Sequence, residues 1–275
     1  MAAHSPLSAL LVEEAGFDGV WASGFELSAL YGLPDNGLIT MTQHLDMMRA
    51  MVGKTTLPII ADIDTGFGNA SNVMYAIEEY ERAGAAGVVM EDKSFPKTTS
   101  LAFEGRHDLV EVAEFQGKVE AAVAARRDPD FLVIARTEAL IAGLGEADAL
   151  RRAQAYEEAG ADLMFVHSRA KDPGEVESFV QRWSGRIPLV LVPTAYPEMN
   201  EGRIRASGKV GMVIYGNHGI RASVSAMRAV FRQVAEEGGI HGVQDRIASV
   251  DEIFRLQRME ERRKSAEPFL RGGSR

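Results

Sequence analysis

The segment Arg82-Ala83-Gly84-Ala85-Ala86-Gly87-Val88-Val89-Met90-Glu91-Asp92 decides the fold. A helix over Ser71 to Ala83 runs into Gly84, and glycine is the residue that adopts the left-handed cap turning a helix back on itself. Gly87 to Glu91 then reads as a short strand with no alternating polar face, as a strand buried on both sides requires. Two acids follow at its end. The same joint recurs as Glu14-Ala15-Gly16-Phe17-Asp18 and Glu158-Ala159-Gly160-Ala161-Asp162, so repeated helix-to-strand units build the chain.

Working outward, Gly19 to Trp21, Leu57 to Asp62, Phe131 to Arg136, Asp162 to His167, Leu189 to Pro193 and Val210 to Tyr215 read as further strands. Met1-Ala2-Ala3 is the tail of an eighth. Helical stretches over Glu111 to Ala125, Glu146 to Ala159 and Gly174 to Trp183 separate several of them. This alternation predicts an α/β fold, a (β/α)8 TIM barrel, as a single domain over residues 1–275. A doubly wound sheet is the alternative. The connection after Glu91 is too long for a barrel turn and predicts a gating loop at about residues 93–108. Two charged amphipathic helices, Ile220 to Glu236 and Asp251 to Glu267, come last. The second lies in a C-terminal helical extension, about residues 247–270, beyond what a barrel needs, and is expected to pack on another subunit.

Composition narrows the function. Cysteine is absent, which removes disulfides, thiolate metal sites and thiol chemistry. With 30 Lys+Arg against 39 Asp+Glu, the net charge of -9 argues against nucleic acid or an anionic membrane as partner. Apolar runs such as Phe131 to Ala135 are far shorter than the roughly 20 residues of a membrane span. The opening Met1-Ala2-Ala3-His4-Ser5-Pro6 lacks the pattern of a signal peptide, so a cytoplasmic location is expected.

In a barrel, polar residues at the C-terminal strand ends face the active-site mouth. By that rule Glu91 and Asp92, Asp62 and Asp64, Arg136 and His167 gather there. Asp62 and Asp64, two apart, share a face, and Glu91 comes from the next strand. Three carboxylates without thiol or paired histidine suit Mg²⁺ or Mn²⁺, with Co²⁺ as a substitute; solvated strand-end acids are the bland alternative. Arg136, ending an apolar strand, needs an anion, either Glu138 or a substrate group. His167 is a substrate contact or a structural histidine. Lys97 sits with Thr99 and Ser100 in the long loop, as a substrate cation or a solvated lysine. Gly66-Phe67-Gly68-Asn69 lacks both the third glycine of a dinucleotide fingerprint and the lysine of a P-loop, and reads as a turn.

Trp21-Ala22-Ser23-Gly24, Asp62-Ile63-Asp64-Thr65-Gly66-Phe67-Gly68-Asn69, Glu91-Asp92-Lys93-Ser94-Phe95-Pro96-Lys97 and Val192-Pro193-Thr194 together resemble the phosphoenolpyruvate mutase and isocitrate lyase superfamily. Its lyases carry a catalytic cysteine where this chain has Lys93-Ser94-Phe95-Pro96-Lys97, so the resemblance points to the phosphonate branch. It implies Mg²⁺ on Asp62, Asp64 and Glu91. Substrate binding would fall to Ser23, the amides of Gly24 and Phe25, Trp21, Ser100, Arg136 and His167. Asp35 would lie near the reacting centre, with Lys97, Thr99 and Ser100 closing over it.

Mutases of this branch read Lys-Thr-Asn-Ser in the loop, whereas this chain reads Lys97-Thr98-Thr99-Ser100, similar to the hydrolases. Thr99 could orient a water at phosphorus. Expected is Mg²⁺-dependent hydrolysis of 3-phosphonopyruvate to pyruvate and phosphate. Phosphoenolpyruvate mutase activity is the first alternative, then oxaloacetate decarboxylase or another 2-oxo acid lyase. The resemblance also implies a homo-oligomer, dimer or tetramer, that exchanges the C-terminal helix. The resemblance implies a helix and a complete first strand before the Met1 segment, so either the sequence starts late or the barrel lacks its first element.

Overall fold

Gly16, Gly84 and Gly160 adopt φ of 81°, 90° and 97° in the computed structural model, which describes residues 1–101 and 107–270. All three repeated joints are therefore left-handed turns, as the sequence requires. They feed a parallel sheet of β1 (Ala2–Ala3), β2 (Val20–Ala22), β3 (Ile59–Asp62), β4 (Gly87–Glu91), β5 (Leu132–Thr137), β6 (Leu163–Val166), β7 (Leu189–Leu191) and β8 (Val210–Val213). The strands neighbour one another in sequence order. The Ala2 amide donates to the Tyr215 carbonyl at 2.9 Å, carrying the end of β8 onto β1. This is the (β/α)8 barrel expected. Its first strand is present, two residues long and in register with Trp21 and Ala22.

Around the sheet run α1 (Pro6–Glu14), α2 (Gly24–Leu30), α3 (Met41–Val52), α4 (Ala70–Arg82), α5 (Val112–Ala125), α6 (Glu146–Glu158), α7 (Gly174–Arg182) and α8 (Glu201–Arg205), and the chain continues into α9 (His218–Glu237). In α4 the buried residues are Val73, Ala76, Ile77 and Tyr80, the single stripe of an amphipathic helix. The apolar residues form two clusters. Trp21, Ile60, Val89, Ile134, Phe165 and Val190 fill the barrel interior. Their sequence neighbours, such as Ala61, Val88 and Val133, pack outward among the helices. Both faces are thus buried, which is why the strands carry no polar alternation.

The chain divides into two compact units, Met1–Ile220 and the residues from Arg221 on. In the second unit the Gln233 side chain donates to the Gly242 carbonyl and accepts from Arg246. The single helix expected over Asp251 to Glu267 is instead two, α10 (Val250–Leu256) and α11 (Met259–Ala266). The break falls at Arg258, whose φ is 52°. No glycine or proline marks it, so periodicity ran through it. Residues 102–106 of the expected gating loop and residues 271–275 of the expected domain lie outside the described residues. No helix among those described is long and apolar enough to cross a membrane.

Candidate active site

Strand alternation places the site. Ile60, Val89, Ile134 and Phe165 point into the barrel, so two residues on, Asp62, Glu91, Arg136 and His167 project into its mouth on the same face. Trp21, Ser23, Phe25, Asp35, Asp62, Lys97, Thr99, Ser100, Arg136 and His167 line one cleft of about 580 Å³, its open mouth included. Asp92, one residue past Glu91, faces the other way, contrary to its expected place in the mouth. It accepts from Thr137 Oγ1, Tyr156 OH and Arg152 Nη1 at 2.9, 2.8 and 3.2 Å, and fixes the Glu138 amide at 2.8 Å.

The acids crowd together, largely shielded from solvent. Burial raises Asp62 and pushes Asp64 up to about 7, with neighbouring carboxylates adding to the effect on Asp64. The Lys97 ammonium sits among them, 2.6 Å from Asp64 Oδ1, 2.9 Å from Asp35 Oδ1 and 4.0 Å from Glu91 Oε1. Burial alone would lower the pKa of Lys97, but Asp64, Asp35, Glu91 and Asp62 hold it well above its ordinary value. Among the described residues no three metal-ligating side chains converge as they stand. Mg²⁺ does not require that, since it keeps several waters and takes one or two carboxylates. The donor set suits it: Asp64 Oδ1 and both Glu91 carboxylate oxygens are buried and accept no well-directed hydrogen bond despite the nearby cations. Space is made by Gly24, where a Cβ would lie 3.1 Å from Asp64 Oδ1 and 3.5 Å from Asp62 Oδ2.

The opposite wall is cationic. Arg136 stacks over Phe165, 4.8 Å from its ring centroid, and reaches Glu91 Oε2 at 3.3 Å. Its closest acid is Glu138, bonded through Nε at 2.7 Å. Arg136 Nη2 approaches His167 Nδ1 at 3.1 Å, nearer than Glu138 Oε1 at 3.5 Å. A guanidinium only donates, so Nδ1 accepts and the ring proton is assigned to Nε2. Burial lowers the pKa of His167, with Glu138 opposing and Arg136 adding to the shift, and so favours the neutral ring. Ser23 caps α2, accepting from the Glu26 amide at 3.2 Å. That places Gly24 and Phe25 in the first helical turn, where backbone N–H groups have no acceptor within the helix. Thr99 Oγ1 is buried without a hydrogen-bond partner.

Sequence reasoning missed Lys93 and overlooked the scope of Glu138. Both side chains are fully buried and lie 3.0 Å apart. Lys93 donates to the Thr98 carbonyl at 2.7 Å and to Ser100 Oγ at 2.6 Å. Ser100 in turn donates to Glu138 Oε2 and accepts from Arg136 at 3.0 Å. Its hydroxyl is thus fully engaged within the wall. A lysine directly after two strand-end acids was the available signal.

The family model described as phosphoenolpyruvate phosphomutase matches residues 1–235. The chain is 60% identical over 257 residues to the phosphonopyruvate hydrolase of Variovorax sp. (strain Pal2), covering 94% of this chain and 89% of the relative. A crystal structure of phosphonopyruvate hydrolase with oxalate and Mg²⁺ superposes with a TM-score of 0.93 at 56% identity, covering 98% and 93% of the two chains. The phosphoenolpyruvate phosphomutase of Streptomyces platensis subsp. rosaceus gives a TM-score of 0.96 at 46% identity, with the same coverage. Backbone shape does not separate the two activities, while sequence identity favours the hydrolase.

Proposed function

The chain belongs to the phosphoenolpyruvate phosphomutase family, and from that membership we propose that it hydrolyses the carbon–phosphorus bond of 3-phosphonopyruvate, giving pyruvate and phosphate, with Mg²⁺ as cofactor. The observation that carries this reading is Thr99, whose buried hydroxyl has no partner and lines the cleft with Lys97, Arg136 and His167. A hydroxyl both donates and accepts, so it can hold a water where a carboxamide would occupy the space.

Asp62, Asp64 and Glu91 are the residues to hold Mg²⁺, which when bound supplies Lewis acidity toward the pyruvyl oxygens. The N-terminal turn of α2, with Ser23, takes the carboxylate. Arg136, the His167 Nε2–H and Lys97 surround the phosphonyl oxygens and stabilise charge as phosphorus loosens from carbon. Water held by Thr99 forms the new oxygen–phosphorus bond while the carbon–phosphorus pair leaves as the pyruvate enolate. In this reading Asp35, which lines the cleft with Thr99 and lies 2.9 Å from Lys97, takes the water's proton. The enolate carbon then takes a proton, that held by Asp35 or one exchanged with solvent, to give pyruvate and return Asp35 to its starting state.

The second unit supports reading the enzyme as a homo-oligomer. Its helices expose Phe231, Val250, Ile253, Phe254 and Met259, apolar residues for another copy to cover. Exchange of α10 and α11 between subunits of a tetramer, and a cytoplasmic location, complete the reading. Light scattering distinguishes a tetramer from a monomer. The reaction itself is tested by ³¹P NMR of phosphonopyruvate with enzyme and Mg²⁺. Inorganic phosphate is the expected product, and phosphoenolpyruvate in its place would overturn the assignment.

A further inference from the structure

Glu138 divides its two carboxylate oxygens between different parts of the site. Oε1 takes Arg136 at 2.6 Å from Nη2 and 2.7 Å from Nε. Oε2 takes the Ser100 hydroxyl and the Lys93 ammonium, the latter at 3.0 Å. Lys93 reaches further along the same segment to the Thr98 carbonyl. Two residues that the cleft needs, Thr99 and Arg136, are therefore fixed to opposite oxygens of one buried carboxylate, Thr99 through its neighbours on both sides.

We propose that Lys93 and Glu138 are positioning residues that lock the Lys97–Ser100 segment onto Arg136, so that the groups on the loop and the strand-borne cation reach the substrate in one fixed geometry. This rests on the hydrolase reading above. Neither residue lines the cleft, so they act through others. The charges explain the pairing. Arg136 and Lys93 flank Glu138, and burial, which would raise its pKa, is outweighed by these two cations, which hold it well below the usual range. A neutral side chain there would leave two buried cations facing each other, a costly arrangement. Arg136 would then turn to Glu91, already 3.3 Å away.

The test uses Lys93→Met, Glu138→Gln and the double variant, with three readouts. A misplacement of about 1 Å costs on the order of 100-fold in rate. Lys93→Met is expected to lower kcat by about 10- to 100-fold with KM within about threefold, because it frees the loop and leaves Arg136 on Glu138. Glu138→Gln is expected to lower kcat and raise KM. The double variant should be no worse than the poorer single one, as for groups acting as a unit. Amide hydrogen exchange across residues 97–101 of the full chain should speed up in Lys93→Met. Turnover per folded enzyme within about threefold of the parent, multiplying effects, or unchanged exchange at 97–101 would overturn the proposal. If Glu138→Gln does not fold, Lys93→Met alone decides through its exchange. That readout is independent of substrate, so failure of the parent enzyme to release phosphate would sink the hydrolase reading and leave the judgement on the lock intact.

Discussion

The Lys97 ammonium lies 2.6 Å from Asp64 Oδ1, so a loop cation occupies space among the carboxylates assigned to Mg²⁺. Ammonium and divalent ion therefore compete for the same negative charge, and at these separations the repulsion between them is worth several kcal/mol even at an effective dielectric of about 20. Replacing Lys97 by Met is expected to tighten Mg²⁺ binding by at least about tenfold in calorimetry while turnover falls by about 100-fold or more. Weaker Mg²⁺ binding in the variant would show that Lys97 and the ion do not share the site.

Burial already disfavours charge on Asp62 and Asp64, and a divalent cation relieves that cost. Chelation of Mg²⁺ should abolish phosphate release, and added Mg²⁺ should restore it. Asp62→Asn and Glu91→Gln each should raise the Mg²⁺ dissociation constant by about tenfold or more, since each removes a full negative charge from a poorly solvated site. Parent-like affinity in either variant would remove that residue from the ligand set.

The strands were legible because most are short apolar runs, of which β3, β4 and β5 run to a charge in Asp62, Glu91 and Arg136, and the three Ala-Gly joints announced where helices turn back. Asp62, Glu91, Arg136 and His167 followed from a strand-end rule that needs no tertiary knowledge. Asp92 fell to the same rule wrongly, although alternation from Val89 through Glu91 would have turned it outward toward Arg152 and Tyr156. The Lys93–Glu138 pair was illegible for a different reason. Its members lie 45 residues apart on separate strand ends, and nothing local to either marks the other. The break between α10 and α11 has no residue that signals it.

Thr99 tests the choice between water and phosphoryl transfer. Its Oγ1 has no partner, whereas an Asn there would extend a carboxamide into the same space and could itself hold the phosphoryl group. Thr99→Asn is expected to cut phosphate release by about 100-fold or more, the usual worth of one positioned group. Some of the lost flux should reappear as phosphoenolpyruvate in the ³¹P spectrum. Undiminished phosphate release would show that the water is held by another residue.

His44 predicts how the fold responds to acid. It is buried in α3 with Nδ1 2.8 Å from the Tyr80 hydroxyl. Burial lowers its pKa from the ordinary 6.5 to about 4; nearby Lys97 adds to the shift and the Ala22 backbone opposes it. Between those values the unfolded chain binds a proton that the folded chain does not. The stability that the neutral ring contributes is therefore complete above about pH 6.5 and drains away as pH falls toward about 4. At about 1.4 kcal/mol per pKa unit, the loss between about pH 7 and about pH 5 amounts to roughly 2 kcal/mol from this residue. His44→Gln can still meet the Tyr80 hydroxyl but does not titrate. Urea unfolding at the two pH values should show the parent losing about 2 kcal/mol more than the variant. An equal loss in both proteins would mean that His44 is protonated, or neutral, alike in the folded and unfolded chains.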